Sequence, residues 1–148
     1  MKPVYHVAVS AGLSAGVYLY LRSWPAALGC FLSGILIDVD HHLDCYLSTK
    51  KFPLRYKDLA HFCATNVTGG LYLAFHSYEL LLAFWGVIYF FQLDILWLGM
   101  AMGLTVHLLC DQFTNPLKPL SYFLLYRVKH GFSREALHVD GHFEKNLP

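Results

Sequence analysis

Nine histidines stand in a chain of 148 residues. Several of them share short stretches with carboxylates inside or beside apolar runs. His6 lies near the N-terminus. Asp38, Asp40, His41, His42 and Asp44 crowd into the sequence DVDHHLD. His76 and Glu79 are three residues apart, and His107 and Asp111 are four apart, spacings that put both partners on one face of a helix. Imidazole nitrogen and carboxylate oxygen in one small volume suit Zn²⁺ first, with Mn²⁺ or Fe²⁺ as alternatives. Several carboxylates offset the charge of two ions better than that of one. Each signal also has a plain structural reading. A lone His on an apolar helix is commonly a hydrogen-bonded packing residue, and DVDHHLD would pass as a solvated loop. Asp111 would pass as a helix-end residue, although a helix C-terminus disfavours a carboxylate unless a cation lies nearby. Glu79 facing lipid would cost about 2.5 kcal/mol or more, so it must face other protein or the interface.

The elements that must position these residues are apolar. Hydrophobic residues make up 56% of the chain and charged residues 14%, against about 45–50% and 25% in soluble domains. Mean hydropathy is +0.42. A bilayer is the simpler solvent for so short and apolar a chain. Apolar segments run over residues 4–21, 26–37, 71–91 and 95–111, the last ended by Asn115-Pro116. The second is short for a bilayer core, which needs roughly 20 residues of helix. Gly12, Ser14, Ala15, Gly16, Gly29, Ser33, Gly34, Gly99, Ala101 and Gly103 are of the size that lets membrane helices approach closely. Residues 38–60 read as a polar loop or a short interfacial helix, and residues 65–70 (TNVTGG) as a second irregular stretch. Residues 121–128 (SYFLLYRV) read as an interfacial segment with an aromatic belt, followed by a polar tail.

The expectation is therefore one all-α domain over residues 1–148, an integral membrane bundle of about four transmembrane helices running up-down-up-down. Residues 1–116 would form the core bundle, and 117–148 the interfacial segment and tail. Alternation places His6, residues 38–44, His76 with Glu79, and His107 with Asp111 at the same end, within a turn or two of helix at about 5.4 Å each. The opposite end holds Arg22, Gln92 and Asp94. Lys2, Lys50, Lys51, Arg55, Lys57, Lys118, Arg127 and Lys129 fall at the histidine end, so that end is expected to face the cytoplasm. Lys2 makes a thin basic region with no cleavage site after it, so Met1 onward is expected to be the mature chain. A net charge of +1 argues against bulk attraction to nucleic acid. Cys30, Cys45, Cys63 and Cys110 make no CxxC pair, so neither a zinc ribbon nor a thioredoxin-type motif is present.

In order, these motifs resemble a known family. His6, DVDH (Asp38–His41), HS (His76–Ser77) and HLLCD (His107–Asp111) with TNP (Thr114–Pro116) are similar to the YdjM-like membrane-bound metal-dependent hydrolases, over about residues 4–130. Two departures are visible: Leu73, Ala74 and Phe75 stand where the family often has Arg and Thr, and Tyr5 replaces a Thr. The resemblance implies an inner-membrane protein distantly related to zinc-dependent phospholipase C and related nucleases. It implies His6, Asp40, His41, His76, His107 and Asp111 as metal ligands, and Asp38 as a ligand or a partner of one.

Two functions follow as expectations. The first is a metal-dependent hydrolase of a phosphoester, lipid-linked by virtue of its place in the bilayer, using one or two ions, with Asp38 or Glu79 as the base that orients water. The second is a membrane protein without catalysis, in which the cluster is a structural metal clip or part of an ion path. Mixed His and Asp ligation without Cys favours the catalytic kind. Polar residues gathered at one end, rather than at mid-bilayer, count against transport. His138, Asp140 and His142 (HVDGH) are a minor further metal candidate.

Overall fold

The computed structural model describes residues 3–65 and 70–139. All regular structure among them is helical, apart from two isolated bridges, Gly70 with Ser133 and Leu117 with His138. The helices are α1 (Pro3–Leu21), α2 (Trp24–Leu36), α3 (Asp40–Thr49), α4 (Tyr56–Thr65), α5 (Tyr78–Phe91), α6 (Ile95–Thr114), α7 (Leu124–Lys129) and α8 (Arg134–Leu137). Short 3₁₀ turns cover Ile37–Val39 and Pro119–Tyr122. The chain divides into two compact units. The first comprises Met1–Ile37 and Tyr78–Asn115, the second Asp38–Ser77 and Pro116–Pro148.

In the first unit, local signals set the helix ends. Arg22 takes a left-handed conformation (φ 51°) after α1. Ser23 then caps α2 by accepting from the Ala26 N–H at 3.3 Å, with Pro25 in the first turn, where its missing N–H is harmless. Gln92 (φ 50°) ends α5, and Asp94 caps α6 by accepting from the Leu96 N–H at 3.0 Å. Small residues then set the packing. A Cβ on Gly99 would collide with the Ala26 carbonyl, and one on Gly103 with the Cys30 carbonyl. Only glycine lets α6 lie this close to α2. Ser33 Oγ uses the approach to donate to the Met100 carbonyl at 2.8 Å.

The second unit is built differently. Cys45, Leu59 and Phe62 form one small apolar cluster between α3 and α4. Leu71, Leu73 and Leu137 form another, with Leu117 and Tyr126 against it. Most of the remaining order comes from hydrogen bonds that cross long stretches of sequence. The Leu71 N–H donates to the Phe132 carbonyl at 2.8 Å, and the Lys118 N–H to the Leu137 carbonyl at 2.9 Å. Ser121 Oγ donates to the same Leu137 carbonyl at 2.7 Å.

Among the described residues, three helical stretches are long and apolar enough to cross a membrane: Val4–Leu21, Trp24–Thr49 and Ile95–Thr114. The second is longer than the sequence suggested, because residues 40–49, within the stretch expected as a polar loop or a short interfacial helix, are helical and continue it. DVDHHLDCYLST holds no Gly or Pro, Asp40 sits in the first turn of α3 where the dipole favours it, and the side chains of Asp40 and Asp44 are buried with partners. The third apolar segment is shorter than expected. It starts at Tyr78, not at residue 71, which leaves α5 with 14 residues. Side chains take up the N–H groups of Tyr72 and Phe75 and the carbonyls of Tyr72, Leu73 and His76 in place of a helical ladder. Of the TNVTGG stretch, residues 66–69 lie outside the described residues.

Candidate metal centre

The first unit brings together three of the residues singled out above. α1 supplies His6, and α6 supplies His107 and Asp111, one turn apart. All three are buried, at 3%, 3% and 1% exposure. The two imidazoles stack with centroids 3.9 Å apart and planes 17° from parallel. His6 Nε2 lies 3.1 Å from Asp111 Oδ1, and His107 Nε2 lies 3.4 Å from Asp111 Oδ2. These separations are close to the roughly 3.3 Å edge of a tetrahedron with metal–ligand bonds of about 2.0 Å. His107 Nδ1 donates to the Gly34 carbonyl at 2.8 Å. A carbonyl only accepts, so the proton is on Nδ1 and Nε2 carries the lone pair that a metal would take. The glycines that bring α2 against α6 thus also bring a backbone acceptor to the back of a histidine.

The second unit makes a group of its own from Asp38, His41 and His76. One candidate ligand atom from each lies within 4.8 Å of the others. Asp38 Oδ1 is 3.7 Å from His41 Nε2 and 3.8 Å from His76 Nε2. His41 Nδ1 lies 3.9 Å from Cys63 Sγ. His76 is closed off, its side chain 2% exposed, whereas Asp38 and His41 are 27% and 25% exposed. This group therefore has one buried anchor and a partly exposed, open side. Its three protein donors fit a site that keeps a position for water, since structural sites are filled by protein ligands.

Asp40, which the resemblance implies as a ligand, is in neither group. Its Oδ2 accepts from the Phe75 N–H at 2.8 Å and lies 3.3 Å from His76 Nδ1. It stands behind the histidine, on the side away from Asp38. Glu79 occupies the first turn of α5 and also joins neither group. His138 is buried, its Nδ1 donating to the Arg134 carbonyl at 2.8 Å. Asp140 and His142 of the HVDGH candidate lie outside the described residues.

Two residues near His76, Arg127 and Arg134, were not singled out by residue type and spacing as part of a site. Asp44 Oδ1 accepts from the Tyr72 N–H at 2.7 Å, and its Oδ2 pairs with Arg134 Nη2. Arg127 was grouped with the surface charges that set topology, yet it is 1% exposed. The only hint was its placement among aromatic residues, which reads equally well as a membrane belt.

No family model, curated protein or solved structure matches the chain.

Proposed function

We propose that this chain is a membrane-embedded, metal-dependent hydrolase of a lipid-linked phosphoester. The observation that carries the reading is repeated in both units. A histidine has Nδ1 tied to an oxygen (the Gly34 carbonyl for His107, the Asp40 carboxylate for His76), and its Nε2 faces an aspartate. Fixing the far nitrogen in this way is how proteins orient metal-ligating histidines and raise their basicity. The order of the sequence motifs, similar to the YdjM-like hydrolases, supports the same reading.

A divalent cation held by these groups, most simply Zn²⁺, would supply Lewis acidity, polarising a phosphoryl oxygen and acidifying a water. The chain's own residues do the rest. His6, His107 and Asp111 form a rigid, water-poor donor set, held by stacking and by the Gly34 carbonyl. Asp38 is the most accessible carboxylate in the two groups, placed to take a proton from an attacking water. His41 borders the same open side.

For topology we propose four membrane passes, with α5 as the shortest. The basic residues flanking the histidine-bearing ends would face the cytoplasm across an inner membrane. A lipid substrate suits this arrangement because its tails stay in the bilayer while its phosphate meets the donors.

The test is elemental analysis of detergent-purified protein beside His107→Ala, followed by turnover of a panel of lipid phosphoesters. Stoichiometric metal, lost in the variant, together with metal-dependent turnover is the expected result. Metal without turnover would favour a structural clip, and absence of metal from the native chain would end the reading.

A further inference from the structure

The segment that delivers His76 has little regular structure of its own, yet its polar groups are held almost atom by atom. Asp40 and Asp44 lie four apart on α3 and so share a face. Each accepts one backbone N–H of the segment, Asp40 from Phe75 at 2.8 Å and Asp44 from Tyr72 at 2.7 Å. Two guanidiniums from the far end of the chain take the carbonyls. Arg127 donates through Nη1 to the carbonyls of Leu73 and, at 3.3 Å, Tyr72, and through Nη2 to the carbonyl of His76 itself at 3.0 Å. Arg134 donates through Nε to the Gly70 carbonyl at 3.0 Å and pairs with Asp44.

All four charged side chains are at most 4% exposed. Two carboxylates and two guanidiniums sum to zero, as a buried set must if it is not to be prohibitively costly. Asp40 spends its Oδ2 on the Phe75 N–H and on His76 Nδ1, leaving Asp38 to supply charge at the metal face of its group.

We propose that Asp40 and Arg127 are positioning residues for His76. Asp40 fixes the ring with its proton on Nδ1, and Arg127 fixes the backbone on either side of it, so that Nε2 is aimed at the Asp38 group. Residues after position 116, which read from sequence as an interfacial appendage, then become part of the metal-binding apparatus. The functional meaning of the aim rests on the metal reading above, whereas the aim itself can be measured without metal.

The experiment uses the full chain in detergent. Co²⁺ is titrated by visible absorption into wild type, Asp40→Ala, Arg127→Lys and Arg127→Gln. Imidazole ¹⁵N shifts of the metal-free proteins are recorded alongside. Asp40→Ala is expected to weaken Co²⁺ binding about 10- to 100-fold, as loss of such a partner typically does, and to alter the Co²⁺ spectrum. It should also remove the Nδ1–H signature of His76 in the metal-free protein. Arg127→Lys is expected to behave similarly to Arg127→Gln, because one ammonium cannot reproduce a planar fork spanning three carbonyls. A merely structural role would lower the melting temperature of the variants and leave spectrum and affinity of the folded fraction unchanged, and that result overturns the proposal. If the Arg127 variants do not fold, Asp40→Ala decides alone. If wild type binds no Co²⁺ but the tautomer shift appears in Asp40→Ala, the metal reading has failed and the positioning geometry stands.

Discussion

The two units present similar chemistry and hold it in opposite ways. In the first, His107 is placed by helix packing. Glycines at 99 and 103 remove the steric bulk between α6 and α2, and one carbonyl, that of Gly34, locks the ring. In the second, His76 rides on an irregular segment pinned by two carboxylates and two guanidiniums. Dispersion and small residues are robust to charge and suit a low-dielectric surround. A buried ionic web is specific but brittle, because removing any one member strands its partner. The first unit should therefore tolerate loss of polar groups and fail on added volume, and the second should do the reverse.

The largest effect is expected where the web is broken. Arg134→Met leaves Asp44 buried beside a missing cation, and such losses cost about 3–5 kcal/mol. Thermal unfolding in detergent and hydrogen exchange at the Tyr72 amide should both report it. The double variant Arg134→Met with Asp44→Leu should recover part of the loss, since no charge is then stranded. Equal destabilisation by single and double variants would mean that packing, not charge, holds the second unit.

Removing a donor comes next. His107→Ala should weaken metal binding by on the order of 100-fold or more, because even partners behind a ligand are worth about 10- to 100-fold. The folded state should survive, as α6 keeps its glycine contacts. His76→Ala should likewise weaken binding without unfolding the chain. Two donor variants that leave metal content at the wild-type level would remove the basis for both groups.

Much of the first unit was legible in the sequence, and most of the second was not. Apolar runs, Ser23-Trp24-Pro25 and the spaced glycines carry information that depends only on near neighbours, so α1, α2 and α6 could be bounded to within a few residues. α5 was overextended because Leu71 and Leu73 continue its apolar pattern, although they belong to the separate cluster with Leu137. Nothing local reveals that the Phe75 N–H is captured by Asp40, 35 residues away. The pairing of His107 with Asp111 followed from helical spacing alone. The role of Asp40 did not, because the same residue type serves as a ligand and as the partner behind one, and only the direction in which it meets the imidazole separates the two. Arg127 was misplaced for a similar reason: a cation among aromatic residues reads the same in an interface as in a buried web.

Added volume tests the other side of the comparison at a smaller scale. Gly103→Ala places a methyl against the Cys30 carbonyl, and overpacking of this kind costs about 1–3 kcal/mol. Gly86 on α5 is the internal control. Beyond its chain neighbours and the adjoining backbone of α5, no heavy atom lies within 4 Å of where its Cβ would sit, so Gly86→Ala should be stabilising by about 0.5–1 kcal/mol through helix propensity. Melting curves that move in opposite directions confirm close packing of α6 on α2 as the organising contact. The same sign for both would deny it.

The smallest effect separates stability from aim. Asp94 caps α6 at the end far from His107, about 20 Å away along the helix at 1.5 Å per residue. Asp94→Ala should cost about 1 kcal/mol through loss of the bond to the Leu96 N–H. It touches neither the Gly34 carbonyl nor the glycine contacts, so metal affinity measured by Co²⁺ titration should not change. If affinity falls with this variant, then His107 is held only by the general firmness of α6. If affinity holds at wild-type level while the melting temperature drops, then the local contact with α2 sets the ring, and the first unit carries its own positioning device, made of glycine where the second uses charge.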